Sequence, residues 1–193
     1  MAWADPLLAA DRSAFLAING AHNEAADHWM SLLSEPLTWV PLYLLFLVLV
    51  RMRWGWRGLW WTLPVAALMI LCSDTGSVLL FKDTVQRLRP CHAPDLEGLV
   101  HLVNGHCGGQ YGFISSHASN HFALAMFMSG MLRHRPWWAV PLLFLWAAAV
   151  AYSRIYLGAH YPGDVLVGAL YGTLIGGLAY GLFRALHQYS GEQ

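Results

Sequence analysis

The stretch Ser153-Arg154-Ile155-Tyr156-Leu157-Gly158-Ala159-His160-Tyr161-Pro162-Gly163-Asp164 closes one apolar segment and opens the next. It sets a cation, an imidazole and a carboxylate at the mouth of what reads as a membrane span. A guanidinium can fork two hydrogen bonds onto a phosphate, and a neutral imidazole can attack phosphorus if a carboxylate holds its other nitrogen. Asp164 follows His160 by four residues, a spacing that one helical turn brings onto one face. Taken alone, the same residues fit an interface anchor holding a helix end among headgroups equally well.

On either side of this stretch lie two apolar runs, Trp137 to about Tyr156 and Pro162 to about Ala185. Three more precede them: about Leu37 to Val50, extended back through Met30-Ser31-Leu32-Leu33 to reach the roughly 20 residues a span needs; Leu59 to about Phe81; and about Ser115 to Leu132. The composition agrees. Of 193 residues 57% are hydrophobic and only 11% charged, against roughly 25% in ordinary globular proteins, and the mean hydropathy is +0.44. A soluble core of this size could not bury so much apolar surface. The expected fold is therefore all-α, an integral membrane helical bundle of about five transmembrane helices in a single domain over 1–193.

Residues 1–35 are too polar to span. Asp5-Pro6 is a good helix start, and Leu7, Leu8, Phe15 and Ile18 share one side of a helix ending near Asn19-Gly20, so an N-terminal helix at the interface is expected, although Asp11 falls on that same side. The first thirty residues carry acids and lack a basic leader, which predicts no signal peptide. Trp and Tyr cluster near the span ends, as an aromatic belt does. The net charge is zero with no basic patch, which speaks against nucleic acid as a partner, and the three cysteines lack CxxC or zinc-ribbon spacing.

Arginines set the orientation. Loop 51–57, loop 133–135 and Arg184 carry six of the eleven basic residues, with Glu192 the only acid on that side, so that face is expected to be cytoplasmic together with the C-terminus. The N-terminal segment, the long 83–114 loop and the 157–162 turn then face the periplasm of a bacterial inner membrane. Oxidation is permitted there, and a Cys91–Cys107 disulfide is expected. Cys72, inside a span, reads as a small buried apolar residue.

Reactive residues gather at three places on that outer face. Lys82, the chain's only lysine, leaves the second span and is followed seven positions later by Arg89-Pro90. Ser115-Ser116-His117 enters the third span, where either serine can cap a helix whose free N–H groups make a phosphate site. The third place is the opening stretch, with Pro162 at a helix start and Asp164 in its first turn. His117 and His121, four apart, could ligate a metal, but neither a third ligand nor a zinc-protease glutamate accompanies them. Asp74, eight residues before Lys82 and inside a span, either tunes that lysine or bonds to a neighbouring helix. Arg87 reads as a solvated loop residue. His92, His101 and His106 read as ordinary loop histidines that could also touch a headgroup.

Lys82 with six residues before Arg89-Pro90, then Ser115-Ser116-His117, then Ser153-Arg154 with five residues before His160 and three more before Asp164, resembles the three-part signature of the type 2 phosphatidic acid phosphatase family. One departure stands out: Ile114 and Ser116 occupy the Pro and Gly positions of the family's Pro-Ser-Gly-His. The resemblance implies that Lys82, Arg89 and Arg154, with Ser115 and the backbone N–H of Ser116, hold the phosphoryl oxygens. It implies that His160 attacks phosphorus, Asp164 fixes the His160 tautomer, and His117 protonates the departing oxygen. No metal or other cofactor is expected, since the cations supply the electrostatics. The expected partners are membrane lipids and a lipid phosphate substrate, with no obligate protein partner. Undecaprenyl pyrophosphate is the first expectation by analogy with compact bacterial members, ahead of phosphatidylglycerol phosphate, phosphatidic acid and lipid A phosphates. A haloperoxidase-like site holding vanadate conflicts with the spans, and a non-catalytic lipid-binding scaffold conflicts with an intact His and Asp.

Overall fold

The computed structural model describes residues 4–105, 107–132 and 136–190. Arg133, Arg135, His106 and Glu192, used above for orientation or as headgroup candidates, lie outside the described residues. Helices α1 (Ala4–Gly20) and α2 (Glu24–Ser34) precede α3 (Val40–Gly76), which runs on through a π-helical turn (Ser77–Lys82) into the one-turn α4 (Asp83–Val85). Three longer helices complete the bundle: α5 (Ser116–Met131), α6 (Ala139–Tyr156) and α7 (Pro162–Tyr189). Among the described residues there is no β-strand, only an isolated bridge between Leu88 and Tyr111. Three helical stretches, Pro36–Val85, Ala139–Tyr156 and Pro162–Tyr189, are long and apolar enough to cross a membrane.

The first of these is a helical hairpin. Gly55 sits at φ 71°, ψ −171°, a conformation without cost only for a residue lacking Cβ, and it breaks α3 in two. The contacts give the direction of each arm. Trp54 donates its indole N–H to the Met131 carbonyl, and Arg57 and Trp61 reach Ser190, so the break lies at the end where α5 and α7 finish. Ser73 and Ser77 bond to Ser119 and Ser116, so the second arm returns to the end where α5 begins. The basic run 51–57 is thus no loop. A single glycine turns the chain, and its arginines sit on the helix ends beside it.

Two further expectations change. Met30–Leu33 belong to α2 and not to the first span, because Glu35 is extended (φ −79°, ψ 119°) before Pro36, whose ring disfavours helix at the preceding residue. Cys72 is exposed, on the outward face of its arm, and not buried.

Helix α5 is only 16 residues, about 24 Å, and it occupies the centre, with Ala118, Ala123, Ala125, Phe127 and Met131 all fully buried. Its closest partner is α7. A Cβ at Gly168, Gly172 or Gly176 would overlap the carbonyls of Ser115, Ser119 and Ala123 in turn. This stripe of glycines at every fourth residue lets two backbones touch, the small-residue packing expected where lipid supplies no hydrophobic drive between helices. Gly177, next in the chain, has ordinary space around it. The pairing order also shows that α5 and α7 run parallel. Their N-termini therefore lie at one end of the bundle, where the positive ends of both helix dipoles add.

Candidate active site

The N-cap of α5 is Ser115, whose hydroxyl accepts from the Ala118 N–H at 3.4 Å, and its own N–H donates to the Asp164 carbonyl at 3.0 Å. That second bond joins the first turns of the two parallel helices. The Ser116 hydroxyl accepts from the Lys82 ammonium at 2.7 Å and shares a hydrogen bond with Ser77 at 2.6 Å. A glycine at position 116 could make neither contact. The departure from the family pattern thus ties the lysine and the hairpin arm to the start of α5, while the first-turn N–H groups stay without intrahelical partners.

His160 lies in the turn between α6 and α7 and is 2% exposed. Its Nε2 is 3.3 Å from Arg89 Nη1, which also reaches the Ala159 carbonyl at 3.3 Å. A guanidinium only donates, so Nε2 presents its lone pair and the ring hydrogen sits on Nδ1. Burial pushes the His160 imidazolium down to about 4, against the opposing pull of the Asp164 carboxylate, so the ring is neutral at pH 7. Burial likewise lowers Arg89, and Asp164 partly offsets this.

Asp164 is fully buried, but it is not hydrogen-bonded to His160: its Oδ2 stands 3.7 Å from Nδ1, and Nδ1 has no partner. Oδ2 accepts instead from the Tyr161 N–H at 3.0 Å, and Oδ1 from Arg87 at 2.9 Å. Arg87 is the site residue that the sequence reading missed. Its other nitrogen donates to Asp11 Oδ2 of α1 at 2.7 Å, its guanidinium lies 4.0 Å over the Tyr161 ring, and Asp11 Oδ1 accepts from the Gly163 N–H at 2.7 Å. The signal was present in the position of Asp11 on the apolar side of α1, where a carboxylate needs a buried partner.

Lys82, Arg89, Ser116, His117, Arg154 and His160 line one cavity of about 660 Å³, together with Asp74. Arg154 touches the Ser34 hydroxyl through Nη1, while its Nε and the Nε of Arg89 are buried without any acceptor. The rest of the wall is largely apolar, including Ala66, Met69, Ile70 and Leu124. Of the other candidates, His92 is exposed, with Nε2 3.3 Å from the Gly108 carbonyl. His101 is spent on Asp27 at 3.0 Å and stacks on His22 with centroids 3.7 Å apart. Cys91 and Cys107 are paired as a disulfide, with Cα atoms 6.2 Å apart, and Cys107 reaches the cavity rim.

The model of the PAP2 superfamily matches residues 61–188, which hold every lining residue of this cavity except Pro36 and Tyr43. The chain belongs to the PAP2 superfamily. It is 36% identical over 171 residues to a lipid A 4′-phosphatase of Bacteroides thetaiotaomicron, covering 88% of this chain and 75% of that one. It is 33% identical over 181 residues to a lipid A 4′-phosphatase of Porphyromonas gingivalis, covering 92% and 74%. In fold it is similar to the transmembrane PAP2 type phosphatidylglycerolphosphate phosphatase of Bacillus subtilis, with a TM-score of 0.71 and 22% identity over 93% of this chain and 87% of that one. The protein is a membrane lipid phosphatase.

Proposed function

We propose that the chain removes a phosphate monoester from a lipid A-type glycolipid at the outer face of a bacterial inner membrane, through a phosphohistidine on His160. With the arginine-rich end taken as cytoplasmic, and five crossings counted by taking the two arms of the α3 hairpin separately, the cavity faces the periplasm and the end of α7 lies in the cytoplasm. The observation that carries the reading is the pair of unspent guanidinium donors, Arg89 Nε and Arg154 Nε, buried in the cavity that holds the His160 lone pair. An anion is what satisfies them.

The phosphoryl group sits among Lys82, Arg89, Arg154 and the first-turn N–H groups of α5, with Ser115 shaping that turn. Arg89 leaves Nε2 for the phosphoryl oxygens, and the freed lone pair attacks phosphorus in line as the ester bond breaks. His117 protonates the departing oxygen and then takes a proton from the water that cleaves the P–N bond. Asp164, less than 1 Å beyond hydrogen-bond reach of Nδ1, closes on the ring as it becomes cationic. Asp74 lines the cavity with Lys82 and tunes it. The step uses no metal.

Undecaprenyl pyrophosphate, first in the expectations from size and layout, ranks second: the two relatives named for lipid A are 36% and 33% identical over 88% and 92% of this chain, against 31% over 84% for a putative undecaprenyl-diphosphatase of Escherichia coli. Phosphate release from lipid A, phosphatidylglycerol phosphate, phosphatidic acid and undecaprenyl pyrophosphate by the purified chain in detergent, with and without EDTA, tests the reading. The expected result is fastest release from lipid A, unchanged by EDTA. No release from any of the four by folded protein would overturn it and favour a lipid-binding scaffold.

A further inference from the structure

Along α5 the cavity wall changes character turn by turn. Ser116 and His117 stand at the phosphate end, Asn120 and His121 one turn deeper by about 5 Å, and Leu124 one turn beyond that. The middle turn is polar, and the catalytic scheme makes no use of it. The His121 side chain is 8% exposed, with its Nδ1 2.8 Å from the His117 carbonyl. A carbonyl only accepts, so Nδ1 carries the hydrogen and Nε2 of the neutral ring is an acceptor. That Nε2 is buried without a partner, and so is Asn120 Oδ1. Trp146 meets the His121 ring edge-on at 5.1 Å and walls it off.

We infer that Asn120 and His121 form a subsite for a hydroxyl of the substrate's leaving group. This rests on the phosphatase reading above, in which His117 protonates the leaving oxygen. The carbons next to that oxygen then fall one turn deeper, beside the unpartnered acceptors. A sugar or polyol with neighbouring hydroxyls brings the O–H donors that His121 Nε2 and Asn120 Oδ1 both lack. Past it, Leu124, Ile70 and Met69 receive an acyl chain. The order phosphate, hydroxyl, hydrocarbon matches a glycolipid or polyol monophosphate. A polyprenyl diphosphate would set its second phosphate, rich in acceptors, against the same lone pairs, and a site built to bond a hydroxyl discriminates strongly against a ligand that leaves it unpaired.

The test compares kcat/KM of the full chain in detergent on an N-acyl glucosamine 4-phosphate glycolipid and on its 3,6-dideoxy analogue. The wild type is expected to prefer the hydroxylated substrate by at least about tenfold. His121→Phe, which keeps the ring shape, and Asn120→Leu are each expected to bring that ratio close to one, mostly through KM; a purely structural defect would lower both rates and keep the ratio. Equal kcat/KM for the two substrates with wild-type protein overturns the subsite and leaves the phosphatase standing. So does a ratio that survives both substitutions. No turnover of either substrate, nor of any other lipid phosphate, takes down the phosphatase reading and the subsite with it.

Discussion

Replacing Arg87 by Met keeps an unbranched aliphatic chain at the position and removes the guanidinium that lies over Tyr161 and bridges Asp11 to Asp164. The Asp164 side chain is fully buried, and those of Arg87 and Asp11 are 20% and 14% exposed. Stripping one partner from a buried pair costs roughly 3–5 kcal/mol, because the remaining charge stays out of water uncompensated. Arg87 retains some solvent screening, which puts the expectation at the low end, about 3 kcal/mol. For a chain of this length that is a fall in Tm of about 6–12 °C. Activity should drop further than stability alone explains, since Asp164 Oδ1 loses its one side-chain donor and is free to turn from His160. The assay is scanning fluorimetry in detergent alongside kcat on whichever lipid phosphate turns over fastest. Arg87→Lys, which can keep one leg of the bridge, should fall between the two, and Asp11→Asn should cost less than Arg87→Met. An Arg87→Met protein within about 2 °C and twofold in kcat of wild type would refute the bridge as a positioning device.

Three other outcomes follow from the same structure. His160→Ala should lose at least about a thousandfold in kcat and trap no acid-labile phosphoenzyme in rapid-quench experiments, whereas wild type should. Because His160 is held at about 4, it loses its lone pair to a proton only below that pH; the acid limb of kcat/KM, corrected for the substrate's own ionisation, should fall near 4, and a limb near 6.5 would contradict a buried neutral nucleophile. Gly172→Val drives a side chain into the Ser119 carbonyl and should prevent α5 from seating on α7, seen as loss of folded monodisperse protein on size exclusion, while Gly177→Ala should be tolerated. Cys91 and Cys107 close a loop with a sequence separation of 16, so Cys91→Ser should cost about 3 kcal/mol of thermal stability, and denatured, unreduced wild type should label on Cys72 alone.

Much of this was legible from residue order. Hydropathy marked the apolar segments, and motif spacing marked Lys82, Arg89, Ser116, His117, Arg154 and His160, which line one cavity, and Ser115, which caps α5. The boundaries that failed did so where one residue outweighs the average over a window. Pro36 separates α2 from the first arm, and the lone Gly55 replaces an expected seven-residue loop. Arg87 looked like a solvated loop residue because its two partners are 76 and 77 positions away in the chain.

By itself, then, the sequence determined a membrane bundle carrying three polar motifs, proposed here to bind phosphate, since apolar content and local spacing are properties of the chain read along its length. Only the tertiary structure decided that α5 and α7 run parallel along Gly168, Gly172 and Gly176. It alone showed that Asp164 is held by Arg87 and Tyr161 and not by His160, and that Asn120 and His121 face the cavity with acceptors to spare. Those facts depend on which buried donor meets which acceptor across distant segments, and burial makes each such pairing obligatory without writing it into local sequence.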